Sequence, residues 1–208
     1  MNVLFKLQEG SKERFDLLVD GEKWREVHRA IFGKQPSLPP VATEEELQAA
    51  FDLLEYQRVK GYVLWRLSVQ SYHSEQLAKL LHLRLVPGKT VERVLREYKE
   101  KGFLDDEAWL RSFFRTKRKR YAIPVLVAQL RAKGLSLHTL QFLAQEWDDG
   151  EADIASIQHL LQTRYRLRDL SDYKSKQKVV ASLLRKGYSL DRIRIALHRL
   201  QSNLDSKD

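Results

Sequence analysis

Basic side chains in the second half of the chain are spaced as an anion-binding surface would need them. In the stretch AWLRSFFRTKRKR, Arg111, Arg115 and Arg118 recur at i, i+4 and i+7 on one predicted helix face, and Lys119 is adjacent. The apolar residues of this stretch fall on another side and predict a core face. Guanidinium and ammonium groups pair with phosphates and carboxylates. The pattern therefore predicts contact with nucleic acid or an acidic protein groove, although a solvated basic face is the alternative.

Further basic residues join this candidate binding set. Some share stripes on helices predicted near 174–186 and 190–201, and others lie at the end of a helix predicted near 124–133. They are Arg131, Lys133, Lys174, Lys178, Arg185, Arg192 and Arg199. If these residues meet phosphates, we expect a log–log slope of affinity against salt of about −0.9 per phosphate neutralised. The aromatic residues near Arg111 fall on the inner face, so stacking of single-stranded bases is not predicted.

Patterns that support catalysis or metal binding are missing from the sequence. The chain has no cysteine, and its six histidines form neither an HxxxH nor an HxH pair, so the common zinc patterns are excluded. Phosphate-binding loops, dinucleotide-binding loops and nucleophile elbows are also missing. Asp105, Asp106 and Glu107 are interpreted as helix-start residues, and His73 and His138 as surface or capping residues. We expect a protein that is not an enzyme and carries no cofactor or metal.

Composition and charge favour a cytoplasmic binding protein. The 208 residues carry a net charge of +9, with residues 1–50 slightly negative and residues 51–208 at a net +11. Residues 108–145 include eight arginines and lysines and no acidic residue. A chain without cysteine suits a reducing compartment, and its longest apolar run is too short to span a membrane. We expect a cytoplasmic monomer without membrane contact.

The first 42 residues predict a small β segment, a short helix and a linker. Apolar residues alternate on both sides of the turn EGSKE, which indicates a β-hairpin. The segment EKWREVHRAIFG predicts a short helix that ends at Gly33, and KQPSLPP predicts a linker. Thr43 then begins a connecting helix. Its hydroxyl can accept from the Glu46 amide while the Glu46 carboxylate accepts from the Thr43 amide.

A sequence pattern that occurs twice defines a structural corner. AQLRAKGLSLHTL at 128–140 and ASLLRKGYSLDRI at 181–193 are identical at six positions. Each copy predicts a helix that ends at a left-handed glycine, followed by a serine that caps the next helix. EKGFLDDEAW repeats the corner with an aspartate as the cap. The three corners are Gly102 with Asp105, Gly134 with Ser136, and Gly187 with Ser189.

These corners predict a mainly α fold made of small helical units. Three tandem three-helix repeats, joined at helix–Gly–helix corners, form an elongated curved array that follows an N-terminal β-hairpin and short helix. The predicted division is 1–42 for the N-terminal segment, 43–54 for the connecting helix, 55–104 for repeat one, 105–149 for repeat two and 150–208 for repeat three.

Four stretches of the chain resemble the RecX regulators of RecA recombinase. They are SYHSEQLAKLL (71–81), YKEKGFLDDEAWLRSFFRTKRKR (98–120), LVAQLRAKGLS (126–136) and KSKQKVVASLLRKGYSLDRIRIAL (174–197). The most specific motif is the Gly-aromatic-Leu-Asp-Asp turn at 102–106, followed by Trp109 and a basic helix. The resemblance covers about residues 55–200, and the N-terminal hairpin is similar to an extension of longer family members.

The resemblance implies three tandem three-helix repeats and a regulatory function without catalysis. RecX proteins bind in the groove of the RecA–single-stranded DNA filament and restrain its ATPase, strand-exchange and co-protease activities. They block filament growth or promote filament loss. The chain departs from the family pattern after Pro124, where Val125, Leu126 and Val127 replace a more basic helix start.

Two other functions are compatible with the basic pattern. A helix–turn–helix-like corner could place one helix in the major groove of duplex DNA, which requires base-reading side chains near the helix start. Of the helices that follow the corners, only LDRIRI brings an arginine, Arg192, to that position. A protein–protein scaffold with an incidental basic bias is the third reading, and it predicts little dependence on salt.

Overall fold

The structure is a computed structural model that describes residues 1–140 and 150–205. The chain divides into two compact units, Met1–Trp109 and Leu110–Asp208. A small antiparallel sheet begins the first unit, and helices make up most of the remaining described residues. The prediction of a mainly α fold preceded by a β segment is therefore confirmed.

The N-terminal sheet has three strands, one more than the predicted hairpin. The strands are β1 (Val3–Leu7), β2 (Arg14–Val19) and β3 (Glu22–His28), in the order β1-β2-β3. The helix predicted for EKWREVHRAIFG is wrong over its first seven residues, because they form β3. Only α1 (Arg29–Phe32) is helical in that segment, and it ends at Gly33 as predicted.

The missed strand follows from turn geometry and cross-strand pairing. Asp20 and Gly21, with φ values of 49° and 93°, join β2 to β3 in a two-residue turn. Positive φ at both central residues is the backbone geometry that suits the twist of a hairpin. Across the strands, Lys23 Nζ lies 2.6 Å from Asp16 Oδ1. The sheet contacts therefore override a helical pattern in the sequence.

A single long helix replaces two predicted ones. α2 (Glu44–Val69) continues through the predicted boundary between the connecting helix and repeat one. The Thr43 hydroxyl accepts from the Glu46 amide at 3.2 Å, as predicted. The Glu46 carboxylate, however, accepts from the Ala42 amide at 2.8 Å rather than from the Thr43 amide. The reciprocal cap is therefore shifted by one residue along the chain.

The first unit is completed by α3 (Ser74–His82) and α4 (Gly88–Glu100), which pack against α2 around a common apolar core. Leu17 of the sheet is fully buried in the same core. Fully buried helical core residues come from α2, α3 and α4, namely Val59, Val63, Leu77, Leu81 and Val94. Apolar residues of the three helices and of the sheet therefore share one core.

A carboxylate on α4 fixes this helix to α2 at the surface. Glu97 accepts a hydrogen bond from Tyr56 Oη of α2, and its Oε1 lies 2.6 Å from Lys60 Nζ. Lys101 Nζ lies 2.5 Å from the same oxygen. Hydrogen bonds from Lys101, Lys60 and Tyr56 lower the pKa of Glu97 to about 2.

The remaining helices are α5 (Asp106–Lys117), α6 (Ile123–Ala132), α7 (Gly150–Thr163), α8 (Tyr173–Leu184) and α9 (Leu190–Asp205). Residues 137–140 are also helical. The last part of predicted repeat two, with its end at residue 149, lies outside the described residues. Within the described part of the chain, none of the helices has the length and apolarity needed to cross a membrane.

Each glycine corner ends its helix in the same way. Gly102, Gly134 and Gly187 have φ values of 72°, 98° and 88°. In each case the amide of the next residue bonds back across the last turn, the six-to-one bond of a helix that ends at a left-handed residue. The donor and acceptor pairs are Phe103 to Tyr98 (2.9 Å), Leu135 to Leu130 (3.2 Å) and Tyr188 to Leu183 (3.4 Å).

The polar residue after each glycine accepts a hydrogen bond from the next helical turn. Asp105 Oδ1 accepts from the Ala108 amide at 2.8 Å. The hydroxyl of Ser136 accepts from the Thr139 amide, and that of Ser189 from the Arg192 amide, both at 3.3 Å. These bonds satisfy backbone donors that the helix itself leaves unpaired.

The apolar start of α6 packs against the third corner. The Ala122 amide donates to the Lys186 carbonyl at 2.9 Å, so the two segments are in direct contact. A Cβ atom added at Gly187 would lie only 2.8 Å from Cγ2 of Val125. Leu126 is fully buried one position further along. The residues that depart from the RecX pattern therefore form a packing contact.

Replacing the third glycine should cost more stability than replacing the first. Gly187→Ala adds left-handed strain of about 1 kcal/mol and a clash with Val125 of about 1–3 kcal/mol. Gly102→Ala is the matched control, because its φ is also positive but nothing lies within 4 Å of an added Cβ. Urea unfolding of the two variants measures the difference, and equal losses would contradict the packing contact.

The Glu97 contacts should also give a stabilisation that depends on pH. The folded-state pKa of about 2 lies below the ordinary value of 4.5, so the stabilisation is present above pH 4.5 and is lost as the pH falls toward 2. The difference in unfolding free energy between the wild type and Glu97→Gln should shrink over that interval. Glu92→Gln, an exposed change on the same helix, is the control. A difference that is constant with pH would contradict this assignment.

Candidate anion-binding surface

The basic residues predicted to bind an anion fall into two groups in the structure. Three of them, Arg118, Arg192 and Arg199, pair with acidic residues of the second unit. The others are solvent-exposed, namely Arg111, Arg115, Lys119, Arg131, Lys133, Lys174, Lys178 and Arg185. Ion pairs within the second unit therefore already engage three residues of the predicted set.

A buried carboxylate explains the position of Arg118. The side chain of Asp153, in the first turn of α7, is 1% exposed, and its Oδ1 lies 2.9 Å from Arg118 Nη1. Arg118 follows the last residue of α5, and its side chain is only 16% exposed. Of the predicted stripe Arg111, Arg115 and Arg118, the last residue thus has a structural partner, because the buried charge of Asp153 holds its guanidinium.

Arg192 binds the other oxygen of the Asp153 carboxylate. Its Nη1 donates to Asp153 Oδ2 from the first turns of α9. The Arg118–Asp153–Arg192 cluster therefore ties the end of α5 and the starts of α7 and α9 together. A carboxylate removed from water needs such compensation, since an unpaired buried charge is strongly destabilising.

This cluster was not predicted from the sequence. The two partners of Asp153 lie 35 and 39 positions away along the chain, so the spacing of residues on one helix does not connect them. One local signal was available. Asp153 directly precedes Ile154 and lies four residues before Ile157, both of which are buried. A charged residue on the apolar face of a helix indicates a buried ion pair.

The third ion pair, between Arg199 and Glu151, is exposed and therefore holds its two helices together less strongly. Arg199 Nη1 and Nη2 lie 2.8 and 3.1 Å from the two carboxylate oxygens of Glu151. The side chains are 46% and 71% exposed, so water screens the charges. The stripe predicted for Arg192 and Arg199 on the last helix is thus directed toward carboxylates at the start of α7.

The exposed basic residues lie on three helices and the segments that follow them. Arg111 and Arg115 lie on α5, with Lys119 just beyond its end. Arg131 lies in the last turn of α6, and Lys133 is its C-cap. Lys174, Lys178 and the C-cap Arg185 belong to α8. Within the described residues, none of Arg115, Lys119, Arg131, Lys174, Lys178 and Arg185 has a carboxylate within 4.0 Å.

The acidic residues after the first corner have structural partners. Asp106 accepts from the Ser74 amide at 2.6 Å and from the Ser74 hydroxyl at 2.5 Å, and Lys99 Nζ lies 2.7 Å away. Burial alone would raise the pKa of Asp106, but the hydrogen bonds from Lys99 and Ser74 lower it overall.

Among residues 1–140 and 150–205, no cluster of three or more potential metal ligands occurs.

His73 caps a helix but does not lie on the surface. Its Nδ1 accepts from the Glu75 amide at 3.3 Å at the start of α3, and the residue is only 3% exposed. Burial lowers its pKa. Of the two roles predicted for His73, surface residue or cap, the structure shows the cap. His138 is exposed.

Comparisons with known proteins identify one family model and several proteins that this chain is similar to. Residues 151–197 match the family model described as RecX, third three-helix domain. A regulatory protein RecX of Streptococcus pneumoniae is 24% identical over 195 residues, which cover 91% of this chain and 74% of that protein. The resemblance noted in the sequence therefore extends over most of the chain.

Two crystal structures share the fold. One, of a regulatory protein RecX, has a TM-score of 0.57 at 20% identity and covers 94% of this chain and 98% of the other. A RecX from Lactobacillus salivarius also has a TM-score of 0.57, at 19% identity, and covers 73% of this chain.

Removing the buried carboxylate should destabilise the second unit far more than removing the exposed one. Asp153→Asn leaves two guanidinium groups without their counter-charge, and breaking a buried pair costs about 3–5 kcal/mol. Glu151→Gln, which removes the exposed partner of Arg199, should cost below about 1 kcal/mol. Chemical denaturation at neutral pH measures both losses. Equal losses would show that the cluster does not support the unit.

Proposed function

We propose that this chain, which belongs to the RecX family, binds the RecA–single-stranded DNA filament and inhibits RecA. The inhibited activities would be ATP hydrolysis, strand exchange and co-protease function, through blocked filament growth or filament loss. The observation that carries the proposal is the similarity to regulatory protein RecX over 91% of the chain. We further propose that the protein is a cytoplasmic monomer and that it acts by binding rather than by catalysis.

The proposed binding mode uses stacked helical units in the filament groove. We assign the units as proposed from the sequence, with repeats at 55–104, 105–149 and 150–208. Stacked repeats create extended concave surfaces, which suit a helical groove. The glycine corners at Gly102 and Gly187 are consistent with such units, since each ends one short helix next to the start of another.

The exposed basic residues are the proposed contacts with the filament. Arg115 and Lys119 are exposed and, within the described part of the chain, have no carboxylate within 4.0 Å. An anionic partner would therefore gain charge pairs without breaking an existing one. Arg118 and Arg192 are assigned a structural role instead, because Asp153 already holds both.

The pairing of Arg192 also weakens the helix–turn–helix alternative. Arg192 was the one arginine near a helix start after a corner, where a major-groove reader needs a free donor. Its guanidinium instead donates to a buried carboxylate. The other corner that begins a described long helix does so with Asp106, whose acidic side chain would repel phosphates.

Neutralising two exposed residues should weaken inhibition without unfolding the protein. In an assay of RecA ATP hydrolysis on single-stranded DNA, we expect inhibition at amounts of this protein below those of RecA. The double variant Arg115→Gln, Lys119→Gln should need about fivefold more protein for half inhibition, because two exposed charge pairs contribute about 1 kcal/mol together.

The control is a second double variant, which removes two positive charges from the first unit instead. Lys34→Gln with Lys89→Gln alters two exposed lysines and should inhibit like the wild type. Equal weakening by both double variants would remove Arg115 and Lys119 from the contact. No inhibition by the wild-type chain at equal amounts would contradict the proposed function itself.

A further inference from the structure

Three segments of the second unit converge around Lys186, a residue outside the predicted binding set. The Lys186 carbonyl accepts from the Ala122 amide at 2.9 Å, which brings the segment before α6 against the third corner. Lys186 Nζ lies 4.8 Å from the centre of the Tyr121 ring. Arg120 directly precedes that tyrosine and is exposed. Two basic residues from different segments are thus brought to one place.

The end of α7 brings a third basic residue to the same place. Tyr165 Oη and Ser182 Oγ are 2.7 Å apart, which fixes the segment after α7 to α8 one turn before Lys186. Arg164, next to Tyr165, is exposed on this segment. Burial lowers the pKa of Lys186, and the charges of Arg164 and Arg120 lower it further.

The described residues provide no carboxylate partner for this cluster. Within the described part of the chain, Arg120, Arg164 and Lys186 have no carboxylate within 4.0 Å. The two acidic residues of the adjacent loop have other partners. Asp169 accepts from the amide and the hydroxyl of Ser171 at 2.9 and 2.6 Å, and Asp172 accepts from the Ser175 amide at 2.7 Å. Three like charges therefore lie on adjoining segments, and an external anion would relieve their repulsion.

The cluster continues into a basic hollow on the surface. The hollow has a volume of about 590 Å³. It is lined by Gln162, Thr163, Arg164, Arg166, Leu167 and Arg168. Arginine forks bind phosphate oxygens in pairs, and the amide and hydroxyl side chains can supply further hydrogen bonds. Arg164 belongs to both the cluster and the hollow, so a ligand with several linked anionic groups could occupy both.

We infer that Arg120, Arg164 and Lys186 bind the phosphate backbone of a nucleic-acid strand, which continues across the hollow at Arg166 and Arg168. A strand provides regularly repeated charges with flexible spacing, as an extended set of basic residues requires. An acidic peptide would also need apolar contacts, and Leu167 is the one apolar residue in the lining of the hollow. The inferred binding requires no RecA, so the inference goes beyond the function proposed above.

The test is the salt dependence of binding to a labelled single-stranded oligothymidylate, followed by fluorescence anisotropy on the full chain. Between roughly 50 and 200 mM salt, the logarithm of the binding constant falls linearly with the logarithm of the salt concentration. Each phosphate contact with a single strand contributes about 0.7 to the steepness of that slope. Lys186→Gln should lower the slope by about that amount and weaken binding severalfold. Its melting temperature should not fall, because the change removes like-charge repulsion.

Arg194→Gln is the matched control. It removes one positive charge from the same unit at a residue whose side chain is 70% exposed, and it should keep the wild-type slope. Equal slopes and affinities for the two variants would overturn the site. Poly-glutamate should displace the oligonucleotide far less well than unlabelled oligonucleotide does. Equal displacement would favour an acidic protein ligand and would also overturn the inference. RecA is not present in this experiment, so its outcome is separate from that of the inhibition assay.

Discussion

The second unit depends on one buried charge, the carboxylate of Asp153. Because this side chain is excluded from water, it needs positive partners, and Arg118 and Arg192 supply one for each oxygen. The cluster ties together the end of α5 and the starts of α7 and α9. It also determines which of the basic residues remain for a partner. The strong positive charge of the sequence is therefore partly structural, and only the exposed remainder is available for binding.

A second constraint acts at the glycine corner before α9. Val125 approaches Gly187 so closely that an added Cβ atom would lie 2.8 Å from its Cγ2, and the Ala122 amide bonds to the adjacent carbonyl. This contact gives a physical reason for the apolar start of α6, where the sequence departs from the RecX pattern. The same contact brings Arg120 and Tyr121 next to Lys186, so a packing detail also creates the basic cluster from which we infer a nucleic-acid site.

The ends and starts of helices could be predicted from the sequence, because they depend on residues that are close together along the chain. Glycine followed by a capping residue predicted the corners at Gly102 and Gly187, and the Thr43 cap predicted the start of α2. A helix was predicted where β3 forms, although the Asp20-Gly21 dipeptide before it is a strong hairpin signal. The ion pair of Arg118 was missed because its partner is distant in sequence, and helix periodicity contains no information about such a partner.

The central claim is that this chain binds the RecA filament itself, and co-sedimentation tests that claim most directly. Filaments of RecA on single-stranded DNA would be pelleted in the presence of the chain, alongside samples that contain only the DNA or only RecA. We expect much more of the chain in the filament pellet than in the pellets from the DNA-only and RecA-only samples. Equal amounts in the filament and DNA-only pellets would contradict it, because binding would then require only the nucleic acid.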